Sequence, residues 1–193
     1  MRNKESWDSH YKKHFSKLFF PKRLQSDIEK FPNKKFPKIE YDDGDGLYLY
    51  GTVGSGKTIM AAEILLEYRK QHWLDKTAVE NNQFKFISFP ELIFEIQQNF
   101  SKAAINGKTA IENALEYYTS VHFLIMDDFA VMGRPSEWVL NTVYMIINGR
   151  YEKQKPTIYT SNLSLQQVAE LLDDRIASRI ERTCKIVHKK PIK

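Results

Sequence analysis

Residues 47–58 read LYLYGTVGSGKT, a short apolar run closed by a loop that matches G-x-x-x-x-G-K-[ST] in full. LYLY (47–50) predicts a strand, and Lys57 to about Gln71 predicts a helix with Ile59, Ala62, Ile64, Leu65 and Tyr68 available for burial. The loop therefore sits between a strand and a helix, which is the setting this pattern requires. Gly51, Gly54 and Gly56 permit backbone conformations that a side chain would block. With Thr52, Val53 and Ser55 they form a loop whose amides, from about Gly54 to Thr58, face an anion at the start of a helix. Lys57 supplies a point charge for the β- and γ-phosphates, and the Thr58 hydroxyl a ligand for Mg²⁺. A random chain of this length would match such a pattern about one time in a hundred. The expected ligand is ATP with Mg²⁺.

Outward from the loop, strand and helix patterns alternate. FKFIS (84–88) reads as a strand, and Pro90 suits the first turn of a helix running to about Phe100. A polar break at Asn106-Gly107 precedes a helix over about 110–118, and VHFLIM (121–126) reads as a strand buried on both faces. Ser136 caps a helix to about Glu152, and PTIYTS (156–161) is a strand. Ser164 with Gln167 forms a capping-box pattern before a helix through Leu172. A further helix covers about 174–182, and CKIVH (184–188) closes as a strand. Such alternation means crossover units and a parallel sheet.

Two strand ends carry chemistry. Asp127 and Asp128 end the run VHFLIMDDF (121–129). Asp127 is placed to hold Mg²⁺ through water, and Asp128 to orient or deprotonate an attacking water. Asn162 ends TIYTSN (157–162), and strand C-termini of a parallel sheet share one edge with the loop. Asn162 can thus bond the attacking water or γ-phosphate; the alternative is a turn residue before Leu163-Ser164.

At 193 residues the chain suits one domain with a real core. Hydrophobic residues at 42% exclude a disordered chain, and no run reaches the roughly 18 apolar residues of a membrane span. The N-terminus has no apolar signal core, and the single Cys184 cannot form an internal disulfide. A soluble, reduced, cytoplasmic protein is expected.

Charge is segregated. Residues 1–40 carry 11 Lys/Arg against 5 Asp/Glu, residues 41–174 carry 11 against 18, and residues 175–193 carry 7 against 1. Basic ends suit nucleic acid or simply solubilise the surface. Trp7, Tyr11, Phe15, Phe19 and Phe20 stand among lysines and are available to stack on bases. Tyr11, Phe15 and Phe19 recur every four residues, however, which favours one face of an amphipathic helix docked on protein. Residues 31–46, FPNKKFPKIEYDDGDG, read as a linker, dividing a basic N-terminal arm and linker (1–40) from the main domain (41–193).

GTVGSGKT, LIMDDF and INGRYEKQKPTIYTSNLSLQQVAELLDDRIASRIERT together resemble the AAA+ ATPases of the DnaC/DnaI/IstB group, over about 47–187. The resemblance implies a P-loop, three-layer αβα sandwich with a five-stranded parallel sheet. It implies ATP hydrolysis in DNA replication, slowed where the shorter Asp128 replaces a glutamate, with a replicative hexameric helicase and single-stranded DNA as partners. Asn162 is then the sensor asparagine. Arg179 matches the arginine finger that reaches a neighbouring subunit's ATP, which implies self-association; Arg175 is a second candidate. On spacing alone these two arginines are a basic helix face. The family also carries a helical insertion before its acidic strand, used in assembly and DNA contact. Residues 89–118 occupy that place, with Phe100, Lys102 and Lys108 as candidate DNA contacts or members of an ordinary helical hairpin.

The sequence departs from the family in three ways. Only about 40 residues precede the core where the family bears a helicase-gripping domain. CKIVHKKPIK (184–193) has no arginine to contact nucleotide, and Asp128 stands where Glu is commoner. Alternative readings are a transposition helper ATPase and a nucleotide-switched interaction module. A small-molecule kinase would need an arginine-bearing lid, and the sequence shows no such insertion.

Overall fold

The computed structural model describes residues 12–30, 45–74, 83–99, 109–131, 133 and 135–190. Among the described residues two helices come first, α1 (Lys12–Phe19) and α2 (Lys22–Lys30). Then come β1 (Gly46–Gly51), α3 (Lys57–Leu74), β2 (Phe84–Ser88), α4 (Phe89–Asn99), α5 (Ala110–Ser120) and β3 (Phe123–Asp127). The rest is α6 (Glu137–Glu152), β4 (Thr157–Ser161), α7 (Leu165–Leu171), α8 (Asp174–Thr183) and β5 (Cys184–Lys189).

The five strands form one parallel sheet in the order β2-β3-β4-β1-β5. This is the α/β P-loop architecture expected from the sequence. The third strand begins at Phe123 rather than Val121, because Val121 caps α5 by donating its amide to Tyr117.

Strand alternation sorts side chains between two layers. Leu47, Leu49, Phe123, Ile125 and Ile158 pack against α3 on one face. Tyr48, Leu124, Met126 and Tyr159 pack on the other face with residues of α4 to α8. Phe15, Phe20, Leu24 and Ile28 of the N-terminal segment are buried in the first of these clusters. Phe15 meets Phe84 edge-on at 5.6 Å and Phe20 meets Phe86 at 5.6 Å. These rings are therefore engaged with protein, not presented to bases. Trp7, Tyr11 and nearly all of the expected linker lie outside the described residues.

Capping fixes the helix starts. Ser164 and Gln167 form the expected capping box, as do Thr109 and Glu112, and the Ser136 hydroxyl accepts from Val139. At the sheet edge away from the loop, the fully buried Arg150 ties three elements together. It donates to the carbonyls of Tyr118, Val121 and Pro156, each at 2.8 Å, and to Thr157 Oγ1 at 2.7 Å. Burial lowers its pKa to about 10. No helix among the described residues is long and apolar enough to cross a membrane.

Candidate functional site

Strands β1, β3 and β4 end at the same edge, which brings the glycine-rich loop, the acidic pair and Asn162 together. Gly54 and Gly56 have φ of 77° and 79°, the left-handed region that glycine enters without penalty. Gly51, with φ of 150°, is also crowded: a Cβ there would lie 2.1 Å from the carbonyl oxygen of Lys189 on β5. Part of the glycine pattern thus serves sheet closure.

Lys57 is buried, and its Nζ donates to the carbonyls of Gly51 and Thr52 at 3.0 and 2.9 Å and to Asn162 Oδ1 at 3.0 Å. Burial lowers its pKa, against the opposing pull of Asp128 and Asp127. The Thr58 hydroxyl donates to Asp127 Oδ1 at 2.8 Å, and Thr160 to the same oxygen at 2.5 Å. Burial raises the Asp127 pKa, against those two hydroxyl bonds. A hydroxyl and a buried carboxylate whose charge burial disfavours form a hard-oxygen donor set that suits Mg²⁺, which takes one or two such protein ligands and fills the rest with phosphate and water.

Asp128 is exposed and left-handed, with φ of 53°, and Ala130 follows at 62°. Such backbone is held only where its surroundings fix it. Here the anchor is β4. Asp128 N–H donates to Thr160 Oγ1 at 3.1 Å, Phe129 N–H to Thr160 O at 2.7 Å, and the Ser161 hydroxyl to Phe129 O at 2.7 Å. Thr160 therefore orients both acidic residues at once, a role the sequence reading missed.

The loop, Asp127, Asp128 and Asn162 line one cavity of about 550 Å³. Val53, Gly54, Gly56, Lys57 and Thr58 contribute the loop wall; Val53 at its tip is 83% exposed, and Ser55 is buried away from the lining. A second part of the lining was not foreseen. It includes Arg23, Leu24 and Asp27 of α2, with Ser88 and Glu91 where β2 passes into α4. The one available signal was the four-residue spacing of Phe20, Leu24 and Ile28, which marks a docked helix but not its neighbour.

The remaining expected residues stand apart from this cavity. Arg179 and Arg175 are on α8. Arg179 Nε donates to Asn148 Oδ1 at 2.9 Å, whereas Arg175 is paired with Asp173 at 2.9 Å. Phe100, Lys102 and Lys108 lie outside the described residues.

No protein-family profile matches the chain. It is 29% identical over 126 residues to the replicative helicase loader DnaI of Bacillus subtilis (strain 168), spanning 65% of this chain and 35% of DnaI. Curated relatives are matched over about a third to a half of their own length. A crystal structure of DnaI is 27% identical with a TM-score of 0.59, covering 87% of this chain and 84% of that one. The DnaC helicase loader gives a TM-score of 0.65 at 23% identity, covering 88% and 100%. AMPPCP-bound DnaA from Aquifex aeolicus gives 0.62 at 20%, covering 87% and 44%. In fold the chain is a P-loop AAA+ α/β domain, and in sequence it is similar to the DnaC/DnaI helicase loaders.

Proposed function

We propose that the chain binds ATP with Mg²⁺ in the 550 Å³ cavity and hydrolyses it slowly. It acts as an accessory ATPase of DNA replication on a replicative hexameric helicase and single-stranded DNA. The observation that carries this reading is the convergence of Lys57, Thr58, Asp127, Asp128 and Asn162 on that one cavity. The likeness to helicase loaders supports the replication context and the partners.

In this reading the loop amides and Lys57 hold the phosphates. Lys57 exchanges part of its present set of oxygen acceptors for phosphate oxygen. Thr58 and Asp127 are the residues that would hold Mg²⁺, which when bound would supply positive charge to offset that of the phosphates. Asp128 lines the cavity with an exposed carboxylate fixed through its amide by Thr160, so it can accept a proton from water or orient it. Asn162 supplies an amide to the same cavity. Arg179 contributes from a neighbouring copy, which makes turnover depend on assembly.

The test is phosphate release from ATP by the purified chain, alone, with poly-dT, and with a hexameric helicase. Stimulation by DNA or helicase, abolished by Lys57→Ala, is expected. ATP binding without turnover in every condition would overturn hydrolysis and favour a nucleotide switch. Equal ATP affinity in wild type and Lys57→Ala would overturn the site itself.

A further inference from the structure

Arg175 and Arg179 stand four residues apart on α8, yet their surroundings differ in kind. Arg175 folds back onto its own helix cap. Asp173 accepts from its Nε at 3.0 and 3.2 Å and from its Nη2 at 2.9 Å. The Arg175 guanidinium also lies 4.6 Å from the centre of the Tyr144 ring. Its charge is met by a carboxylate of its own chain, in the bidentate form that guanidinium prefers.

Arg179 is held without being neutralised. Its Nε donates to the amide oxygen of Asn148 at 2.9 Å, and its guanidinium carbon lies 4.9 Å from the Tyr151 ring centre. The Asn148 amide nitrogen donates to Glu152 Oε1 at 2.8 Å, which orients the amide oxygen towards the arginine. Asn148, Tyr151 and Glu152 all belong to the last turns of α6. Among the described residues no carboxylate pairs with Arg179, and its two terminal amino groups have no partner.

We propose that Asn148 and Tyr151 are positioning residues. They form a cradle on α6 that presents the free Nη1/Nη2 edge of Arg179 to the phosphate oxygens of nucleotide bound by a neighbouring copy. Asp173 meanwhile keeps Arg175 from that role. The inference rests on the reading of Arg179 as a finger acting in trans. A long guanidinium side chain samples many rotamers, so an unrestrained finger is seldom in place. A carboxylate would restrain it but cancel the charge that the transferring phosphoryl group needs. A neutral amide and an aromatic face restrain it and leave the charge intact. Engaging Nε leaves the paired terminal groups for two phosphate oxygens.

The experiment measures kcat and ATP Kd on the full chain with poly-dT, singly and in mixed assemblies. Arg179→Ala is expected to lower kcat about a thousandfold with Kd unchanged. Arg175→Ala should lose at least about tenfold less, given the far smaller cost of a group outside the reacting centre. Asn148→Ala and Tyr151→Ala should each lower kcat about ten- to a hundredfold, the scale of a misplaced group. Tyr151→Phe, which keeps the ring face, should recover the rate. Mixing separates this from misfolding. A Lys57→Ala chain cannot hold nucleotide properly but carries an intact cradle and finger. Added to Asn148→Ala or Tyr151→Ala chains it should restore turnover, because the missing function is supplied across the interface.

A defect that mixing does not relieve, or wild-type turnover in both cradle variants, overturns the cradle while the finger stands. Normal turnover in Arg179→Ala overturns the finger itself. No turnover in the wild-type chain overturns hydrolysis, and both readings with it.

Discussion

Asn162→Asp probes the lysine at the centre of the site. Lys57 Nζ lies 3.0 Å from Asn162 Oδ1, with the Gly51 and Thr52 carbonyls at 3.0 and 2.9 Å. Aspartate keeps the acceptor and the size and adds a charge. Hydrogen bonds between neutral groups contribute about 0.5–1.5 kcal/mol and those to charged groups about 1.5–3. The bond to lysine is already charge-assisted, and Asn162 is exposed, so the further gain in the nucleotide-free protein is about 1 kcal/mol after screening. Phosphate must then compete with that pair for the lysine. It also meets the repulsion of the new carboxylate, about another 1 kcal/mol at contact distance in a water-like dielectric. Together these weaken ATP binding by about 2 kcal/mol, or about thirtyfold in Kd. Stability without nucleotide moves the other way, with Tm up by about 2–4 °C. Calorimetric titration with ATP and thermal unfolding of the same samples read both. Unchanged Kd, or a lower Tm without nucleotide, would refute a lysine shared between Asn162 and phosphate.

Arg150→Met should destabilise by about 3–5 kcal/mol, because the Tyr118, Val121 and Pro156 carbonyls lose a buried donor. Thermal unfolding should show Tm lower by about 10 °C, and a shift under about 3 °C would count against the clamp. Asp127→Asn should abolish turnover yet stabilise the metal-free fold at neutral pH. The folded carboxyl titrates above its ordinary range, so the wild type loses stability as pH rises through that raised value. Urea midpoints from acid to neutral pH should converge with those of the variant at low pH; parallel curves would sink the assignment. Phe15→Ala should cost about 3–5 kcal/mol by opening a cavity against Phe84, and a urea midpoint equal to wild type would show α1 to be dispensable.

The sheet was legible because its signals are local. GTVGSGKT fixes a turn, apolar runs such as FLIM need two covered faces, and Ser164 and Gln167 cap their own helix. The candidate residues Asp127, Asp128 and Asn162 could be picked out because they lie at strand ends, where a parallel sheet gathers them beside the glycine-rich loop. What escaped the sequence depends on tertiary approach. Nothing in KRLQSDIEK says that Arg23 and Asp27 line the same cavity as the glycine-rich loop. Thr160 looks like any strand threonine until Asp127 and Asp128 arrive beside it. Nothing in the helix pattern of 137–152 sets Asn148 and Tyr151 beside Arg179, and the differing surroundings of Arg175 and Arg179 emerge only in the fold. Gly51 was read for phosphate, while its crowding comes from Lys189.

Leu24 is at once a brick of the hydrophobic interior and part of the cavity lining. Leu24 and Ile28 anchor α2 directly, and the buried Phe15 and Phe20 hold the chain that leads into it, each contributing about 1.5–3 kcal/mol. A flap so firmly nailed down cannot swing. That side of the chamber is masonry rather than a door, so discrimination among guests there comes from a fixed mould, and any opening and shutting falls to other parts of the rim.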